Sequence, residues 1–319
     1  MDKQWKKLLD GLKAGNIYAM AKIITKIENR DQGWLDMMKE IYPNTGQAKI
    51  FGITGAPGTG KSTLTDRLTL DLVDQGYSVG IIAIDPSSPF SGGALLGDRL
   101  RMRDVCEIED VFVRSMATRG ALGGLSLAAR DVIKIMDAFG KDIIIIETVG
   151  VGQDEVDIVR AADAVMVVCV PGMGDGIQAI KAGIMEIADI FIVNKADREG
   201  VEQVVMDIEG MLSLSSANES QRKIPVIKTV AIKGEGISDL ASILVNDFDS
   251  RMKDDSWQKQ RIREEMLSLL EKEISNYVRS RWSSTGDLDN AVTQVLKREK
   301  NPYSIVQEQA SSFFESLNV

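Results

Sequence analysis

The sequence predicts an α/β fold, a mostly parallel sheet flanked by helices, with a helical N-terminal extension and a helical C-terminal arm. Three observations predict it. Short β-branched runs alternate with helical stretches from about residue 49 to 248, as in a parallel sheet covered on both faces. The first run, Ile50-Phe51-Gly52-Ile53, leads into Gly55-Ala56-Pro57-Gly58-Thr59-Gly60-Lys61-Ser62, which meets the pattern G-x-x-x-x-G-K-[ST] at every required position. Leu64, Leu68 and Leu72 then recur on one helical face. Strand, glycine loop and helix together read as a phosphate-binding loop, and the fold as that of a P-loop nucleoside triphosphatase.

Composition narrows the function. The chain has 319 residues, 44% hydrophobic and 27% charged, enough for one large domain with extensions. A net charge of −9 argues against nucleic-acid or anionic-membrane partners. No apolar run approaches the roughly 18 residues of a membrane span. Asp2 and Asp10 interrupt the basic N-terminus, so no export signal is expected, and Cys106 and Cys169 lack metal-ligand spacing, as reduced thiols of a cytoplasmic protein would. There is no histidine, which excludes Ser-His-Asp and Cys-His catalysis and imidazole metal sites.

Taken in order, Trp5, Leu8, Leu9 and Leu12 predict a first helix, broken at Gly15-Asn16, and Tyr18, Ile23, Ile24 and Ile27 a second, ending near Asn29. Their apolar faces suit packing on the main domain. Pro43-Asn44-Thr45-Gly46 is a loop, so residues 1–48 form an N-terminal helical extension and 49–248 the nucleotide-binding domain. Strands are expected at Lys49–Thr54, Ser78–Ile84, Val111–Arg114, Asp142–Glu147, Ala164–Val170, Ile190–Val193 and Pro225–Val230. From 249 the chain turns highly charged and helical. Leu267, Leu270, Ile274 and Tyr277 follow the 3-4-3 spacing of a helix-pairing seam, and Asn301-Pro302-Tyr303 starts a last helix ending near Phe313-Phe314. Residues 249–319 are therefore expected to be a dimerisation arm.

The chemistry sits beyond the carboxyl ends of the strands, where ligands of such sheets bind. Backbone N–H groups of Gly55–Thr63 and the helix N-terminus would cradle phosphate, with Lys61 reaching the β- and γ-phosphates and Ser62 on Mg²⁺. Asp85 ends the second strand and suits a water on Mg²⁺; its other reading is a turn residue before Pro86. Asp98, in the long loop that follows, could meet the γ-phosphate side, or simply cap the helix near Arg99. Glu147 ends the fourth strand, where a P-loop enzyme places its second metal-side carboxylate, and it or Asp98 would position the attacking water. Gly150 could offer its N–H to the γ-phosphate, and Gln153 is a weaker water-positioning candidate. Pro171-Gly172-Met173-Gly174-Asp175-Gly176 is a glycine-rich loop leading to a helix with Lys181.

Asn194-Lys195-Ala196-Asp197 behind the sixth strand selects the base. The Asp197 carboxylate can accept from N1–H and the 2-amino group of guanine, a donor pair adenine lacks; Asn194 would hold the loop and Lys195 cover the base. Backbone amides of Ala231-Ile232-Lys233-Gly234 would complete the pocket. The implied ligands are GTP and GDP with Mg²⁺.

With these motifs in hand, the sequence closely resembles the GTPase chaperones associated with methylmalonyl-CoA mutase, once labelled arginine/ornithine transport ATPases. The resemblance is carried by Gly55–Ser62, Asp85–Phe90, Gly92–Met102, Thr118-Arg119-Gly120, Gly123-Gly124-Leu125, Glu147–Gln153, Asn194–Asp197 and Asn301-Pro302-Tyr303. The loop 171–183, with Asp175, Gln178 and Lys181, looks like the family's third switch. The resemblance implies a GTPase that dimerises through its C-terminal arm and helps deliver or protect the cobalamin cofactor of an acyl-CoA mutase. One departure is Gly176, where relatives usually carry an acidic residue. Alternatives are a nickel-delivery GTPase, which should show His or Cys clusters, a transport ATPase, which Asn194–Asp197 opposes, and a GTP-binding adaptor with negligible hydrolysis.

Overall fold

Continuous apolar strand runs and glycine turns build the scaffold seen in a computed structural model of the chain, which describes residues 2–85, 102–117, 124–148, 161–172, 188–215, 224–247 and 255–317. Two compact units are present, Met1–Asp254 and Asp255–Val319.

The first unit is organised by seven parallel strands: β1 (Lys49–Gly55), β2 (Val79–Asp85), β3 (Val111–Ala117), β4 (Ile143–Thr148), β5 (Ala164–Cys169), β6 (Ile190–Asn194) and β7 (Val226–Thr229). Every strand expected from the sequence is present within one or two residues at its start and up to three at its end. Their spatial order is β3-β2-β4-β1-β5-β6-β7. The chain passes from β1 to β2 and β3 on one side, returns to insert β4 between β2 and β1, and then works outward on the other side through β5, β6 and β7, so a ligand crevice opens at the carboxyl end of β1.

The helices divide between the faces. Helices α1 (Lys3–Lys13), α2 (Ile17–Glu28) and α3 (Trp34–Ile41) join α6 (Gly124–Phe139) over Ile50, Ile82, Ile84, Ile144 and Ile146. Helices α4 (Lys61–Asp74), α5 (Arg103–Cys106) and α8 (Ile237–Ser242) cover Phe51, Ile53, Ile81, Ile143 and Ile145 on the opposite face. A third cluster places α7 (Val201–Ser215) against Val165, Val167, Phe191 and Val193. Residues 1–48 thus share a core with the sheet. They are also tied to it by polar contacts: Arg30 donates to Asp131 at 2.6 Å, Arg114 pairs with Glu28, and Asp137 caps the N–H groups of Gln47 and Ala48 at 3.1 and 3.0 Å.

Aspartates trim the amino-terminal edge of the sheet. Asp142 accepts from Ser78 N–H (2.8 Å), Asp163 from Ile50 N–H (2.7 Å) and Asp189 from Val165 N–H (2.9 Å). Each satisfies a strand-start donor that no ladder reaches. Lys141 is buried beside them and donates to Asp110 O at 2.8 Å; burial lowers its ammonium pKa, against the opposing pull of Asp110 and Asp142.

Cys169 is buried at the end of β5, and burial pushes its thiol up to about 12, whereas Cys106 is exposed. Since the thiolate is the nucleophile, native protein at pH 8 should give up one thiol promptly to a thiol reagent. The second should react only after denaturation. Two fast equivalents in native protein would show that the β5 end opens.

The second unit holds α9 (Asp255–Ser284), α10 (Asp287–Leu296) and α11 (Pro302–Leu317). The last helix runs a turn past the expected Phe313-Phe314. The 30 residues of α9 span about 45 Å. Along its seam, Leu267, Leu270, Ile274 and Tyr277 are all more than half exposed.

Candidate functional site

The phosphate loop begins where β1 leaves the sheet. Gly55 has φ +147°, and a Cβ there would stand 2.4 Å from Val168 O on β5. Only glycine lets the chain turn that close to its neighbour. Gly60 has φ +90°, and its Cβ would stand 2.6 Å from Asn194 Nδ2, so the loop can touch the β6 end only through glycine. Helix α4 starts at Lys61 without a side-chain cap, which leaves its N-terminal dipole facing the loop.

Lys61 is 6% exposed, and its Nζ donates to Gly55 O (2.7 Å) and Ala56 O (3.1 Å). The ammonium is thus held inside the loop it serves, where arriving phosphate oxygens would offer stronger charged acceptors. Ser62 Oγ donates to Glu147 Oε1 at 2.6 Å. Alternation along β4 explains the meeting: Ile143 and Ile145 pack on the α4 side, so Glu147 projects there too. Glu147 is 6% exposed and sits in register with Ile53 of β1 and Ala83 of β2. Asp85 closes β2 two residues beyond that level, opposite Ala117. A hydroxyl and a carboxylate converging beside a phosphate loop are the hard oxygen donors that suit Mg²⁺.

The second loop is fastened to the first. Asn194 is 2% exposed and uses both ends of its amide. Its Nδ2 donates to Thr59 O (2.9 Å), while Oδ1 accepts from Thr229 Oγ1 and Ala231 N–H, each at 3.1 Å. Lys195 adopts φ +58° and donates from Nζ to Gly58 O at 2.7 Å. A non-glycine residue in that region costs free energy and persists where surroundings enforce it. Asp197 lies one turn on and pairs with Lys233 at 3.3 Å. Of the amides expected around a base, Ala231 N–H is bound to Asn194, and Lys233 N–H and Gly234 N–H return to Val230 O and Ala231 O.

The structure therefore brings together Gly55–Thr63, Glu147, Asn194–Asp197 and Ala231–Lys233 at one edge of the sheet. Asp98, Gly150 and Lys181, with Gln153, Asp175 and Gln178, lie outside the described residues, as does the side chain of Asp85. Sequence patterns did not single out Thr229, whose hydroxyl anchors Asn194, or the buried Thr54–Thr148 hydroxyl pair (3.1 Å) behind the phosphate loop. Single threonines at strand ends carry no spacing signal that would mark them. Among the described residues no helix is long and apolar enough to cross a membrane.

Comparisons with known proteins agree with this geometry. The family pattern described as methylmalonyl Co-A mutase-associated GTPase MeaB matches residues 20–287. A Pyrococcus horikoshii protein provisionally named a GTPase is 46% identical over 305 residues, covering 93% of this chain and 95% of that one. GTPase ArgK of Escherichia coli is 31% identical, covering 91% and 89% of the two chains. The mitochondrial methylmalonic aciduria type A homolog of Caenorhabditis elegans is 30% identical, covering 85% and 75%. The crystal structure of a LAO/AO transport system kinase superposes with a TM-score of 0.71 at 24% identity over 99% of both chains, a shared fold. The chain belongs to the MeaB family of methylmalonyl-CoA mutase-associated GTPases, and is a P-loop enzyme that binds and hydrolyses GTP.

Proposed function

We propose that this GTPase is a conformational switch attending a cobalamin-dependent acyl-CoA mutase of the methylmalonyl-CoA mutase type, helping to load or protect its cofactor. The observation that carries the switch is the fastening of Asn194 and Lys195 to the backbone of Thr59 and Gly58, which couples the base loop to the phosphate loop. Membership of a mutase-associated family, and the relative named for methylmalonic aciduria, support the partner.

Hydrolysis in this reading is positioning and charge neutralisation, which is most of what phosphoryl transfer asks of a protein. Lys61 exchanges Gly55 and Ala56 carbonyls for phosphate oxygens. Ser62, Glu147, Asp85 and Asp98 would hold Mg²⁺, directly or through water, and the ion would neutralise phosphate charge when bound. The Ser62–Glu147 contact fits that role, since both donors are hard oxygens already converging. Glu147 or Asp98 orients the attacking water. On mutase binding, Lys181 or Asp175 of the loop 171–183 would gain contacts that tie the partner to hydrolysis.

The test is single-turnover GTP hydrolysis with and without the mutase. The mutase should speed hydrolysis and distinguish GTP-bound from GDP-bound protein, because coupling between sites is reciprocal. Lys181→Ala should leave intrinsic turnover nearly intact and lose the stimulation. A mutase that neither binds nor changes the rate would refute the partnership.

The same reading makes the protein a cytoplasmic homodimer joined through α9. An apolar stripe left uncovered on so long a helix favours pairing. Leu270→Asp with Ile274→Asp should convert the dimer to monomer in sedimentation, with little change in the melting of the GTPase unit. A parent protein that sediments as a monomer at micromolar concentration would contradict it.

A further inference from the structure

We propose that Lys233 is a positioning residue for base selectivity: its ammonium holds the Asp197 carboxylate in the orientation that reads the 2-amino group of guanine. The inference rests on the reading that Asp197 contacts the base, and it assigns the Lys233 side chain a role distinct from the pocket's backbone amides.

Both ends of the 3.3 Å pair stand on fixed backbone. On one side, Val230 and Glu235 form an antiparallel bridge, and Lys233 N–H returns to Val230 O at 2.8 Å. Gly236, at φ +75°, packs so near Lys228 that a Cβ would stand 2.2 Å from its carbonyl oxygen. Ala231 N–H pins the turn to buried Asn194. On the other side, Ala196 N–H donates to Thr229 O (3.0 Å) and Arg198 N–H to Lys195 O (3.1 Å), closing the backbone around Asp197. The pair therefore joins two turns whose backbones are fixed.

Its contribution to folding is small. The side chains are 51% and 37% exposed, and exposed pairs of that kind stabilise little. Its geometry matters more to recognition. An ionised carboxylate offers about four acceptor sites. Guanine N1–H and the 2-amino group occupy one on each oxygen, which leaves a further site on Oδ2 for the Lys233 ammonium. With that site held, the carboxylate cannot rotate away, and both oxygens stay presented to the base edge. A base without the 2-amino group, hypoxanthine, gains much less from the restraint.

The experiment measures GDP and IDP affinities by isothermal titration for the parent, Lys233→Met, Lys233→Arg and Asp197→Asn. Lys233→Met should lower the preference for GDP over IDP by about fivefold, the scale of one hydrogen bond's net worth. Lys233→Arg should keep most of it, since it restores a cation at the same place. Added salt should erode the parent's preference toward that of Lys233→Met and leave the variant's unchanged. Equal loss of GDP and IDP affinity in Lys233→Met would overturn the proposal, because that is what a general charge or folding effect produces. If Asp197→Asn leaves the preference intact, the base assignment itself fails, and the proposal with it. If Asp197→Asn abolishes the preference and Lys233→Met does not alter it, only the role of Lys233 is refuted.

Discussion

Lys61→Met should reduce GTP turnover at least about a hundredfold, close to 3 kcal/mol of transition-state stabilisation, the usual loss when one preorganised donor is removed. The ammonium is buried and held 2.7 Å from Gly55 O, so it waits at the site rather than being recruited from solvent. Methionine keeps the apolar stem and removes the charge. Lys61→Arg should fail to rescue, because a planar fork does not fit a pocket built for a compact ammonium. The Gly55 and Ala56 carbonyls lose a donor in Lys61→Met, so thermal melting separates a loosened loop from lost chemistry. Single-turnover rates on folded variants are the measurement. A variant within threefold of the parent would remove Lys61 from the reaction.

Asp197→Asn should weaken GTP binding by on the order of 2–4 kcal/mol, since it replaces a charged acceptor pair with a mixed amide facing two donors. Binding of xanthosine triphosphate should improve, because its O2 accepts from the new amide. The neighbouring Asn194 does not compensate. Its amide is committed at both ends, to Thr59 and to Thr229 and Ala231. Titration showing unchanged GTP affinity would place the base elsewhere.

The loops that carry these residues were legible in the sequence for a physical reason. A phosphate loop needs glycine where the backbone turns against β5 and against Asn194, and those positions, Gly55 and Gly60, are part of the spacing. The strands were legible because runs such as Ile143–Ile146 are buried on both faces and have no polar alternation to confuse. Helix α3 was missed. It has only eight residues, and it starts from Gly33 with no capping side chain, so the usual start signal is absent. Its pattern of Trp34, Met37, Met38 and Ile41 was the available clue. Strand order was not legible, since it is decided by pairing between distant residues such as Ile53 and Glu147. The aspartate caps at the amino-terminal edge were missed for the same reason: Asp142 and Ser78 are 64 residues apart. The Lys233–Asp197 contact likewise joins loops that no local spacing relates.

The shared core of α1–α3 and α6 has a consequence for synthesis. Arg30 and its partner Asp131 are 101 residues apart, and Ile23, Ile24 and Ile27 wait for Val132 and Met136 of α6. At the usual pace of translation, that interval lasts roughly 5–20 s. Throughout it the first helices can pack only on one another. The part of the chain made first therefore waits for partners made about a hundred residues later, and a nascent chain stalled before residue 124 would be a ready client for holding chaperones.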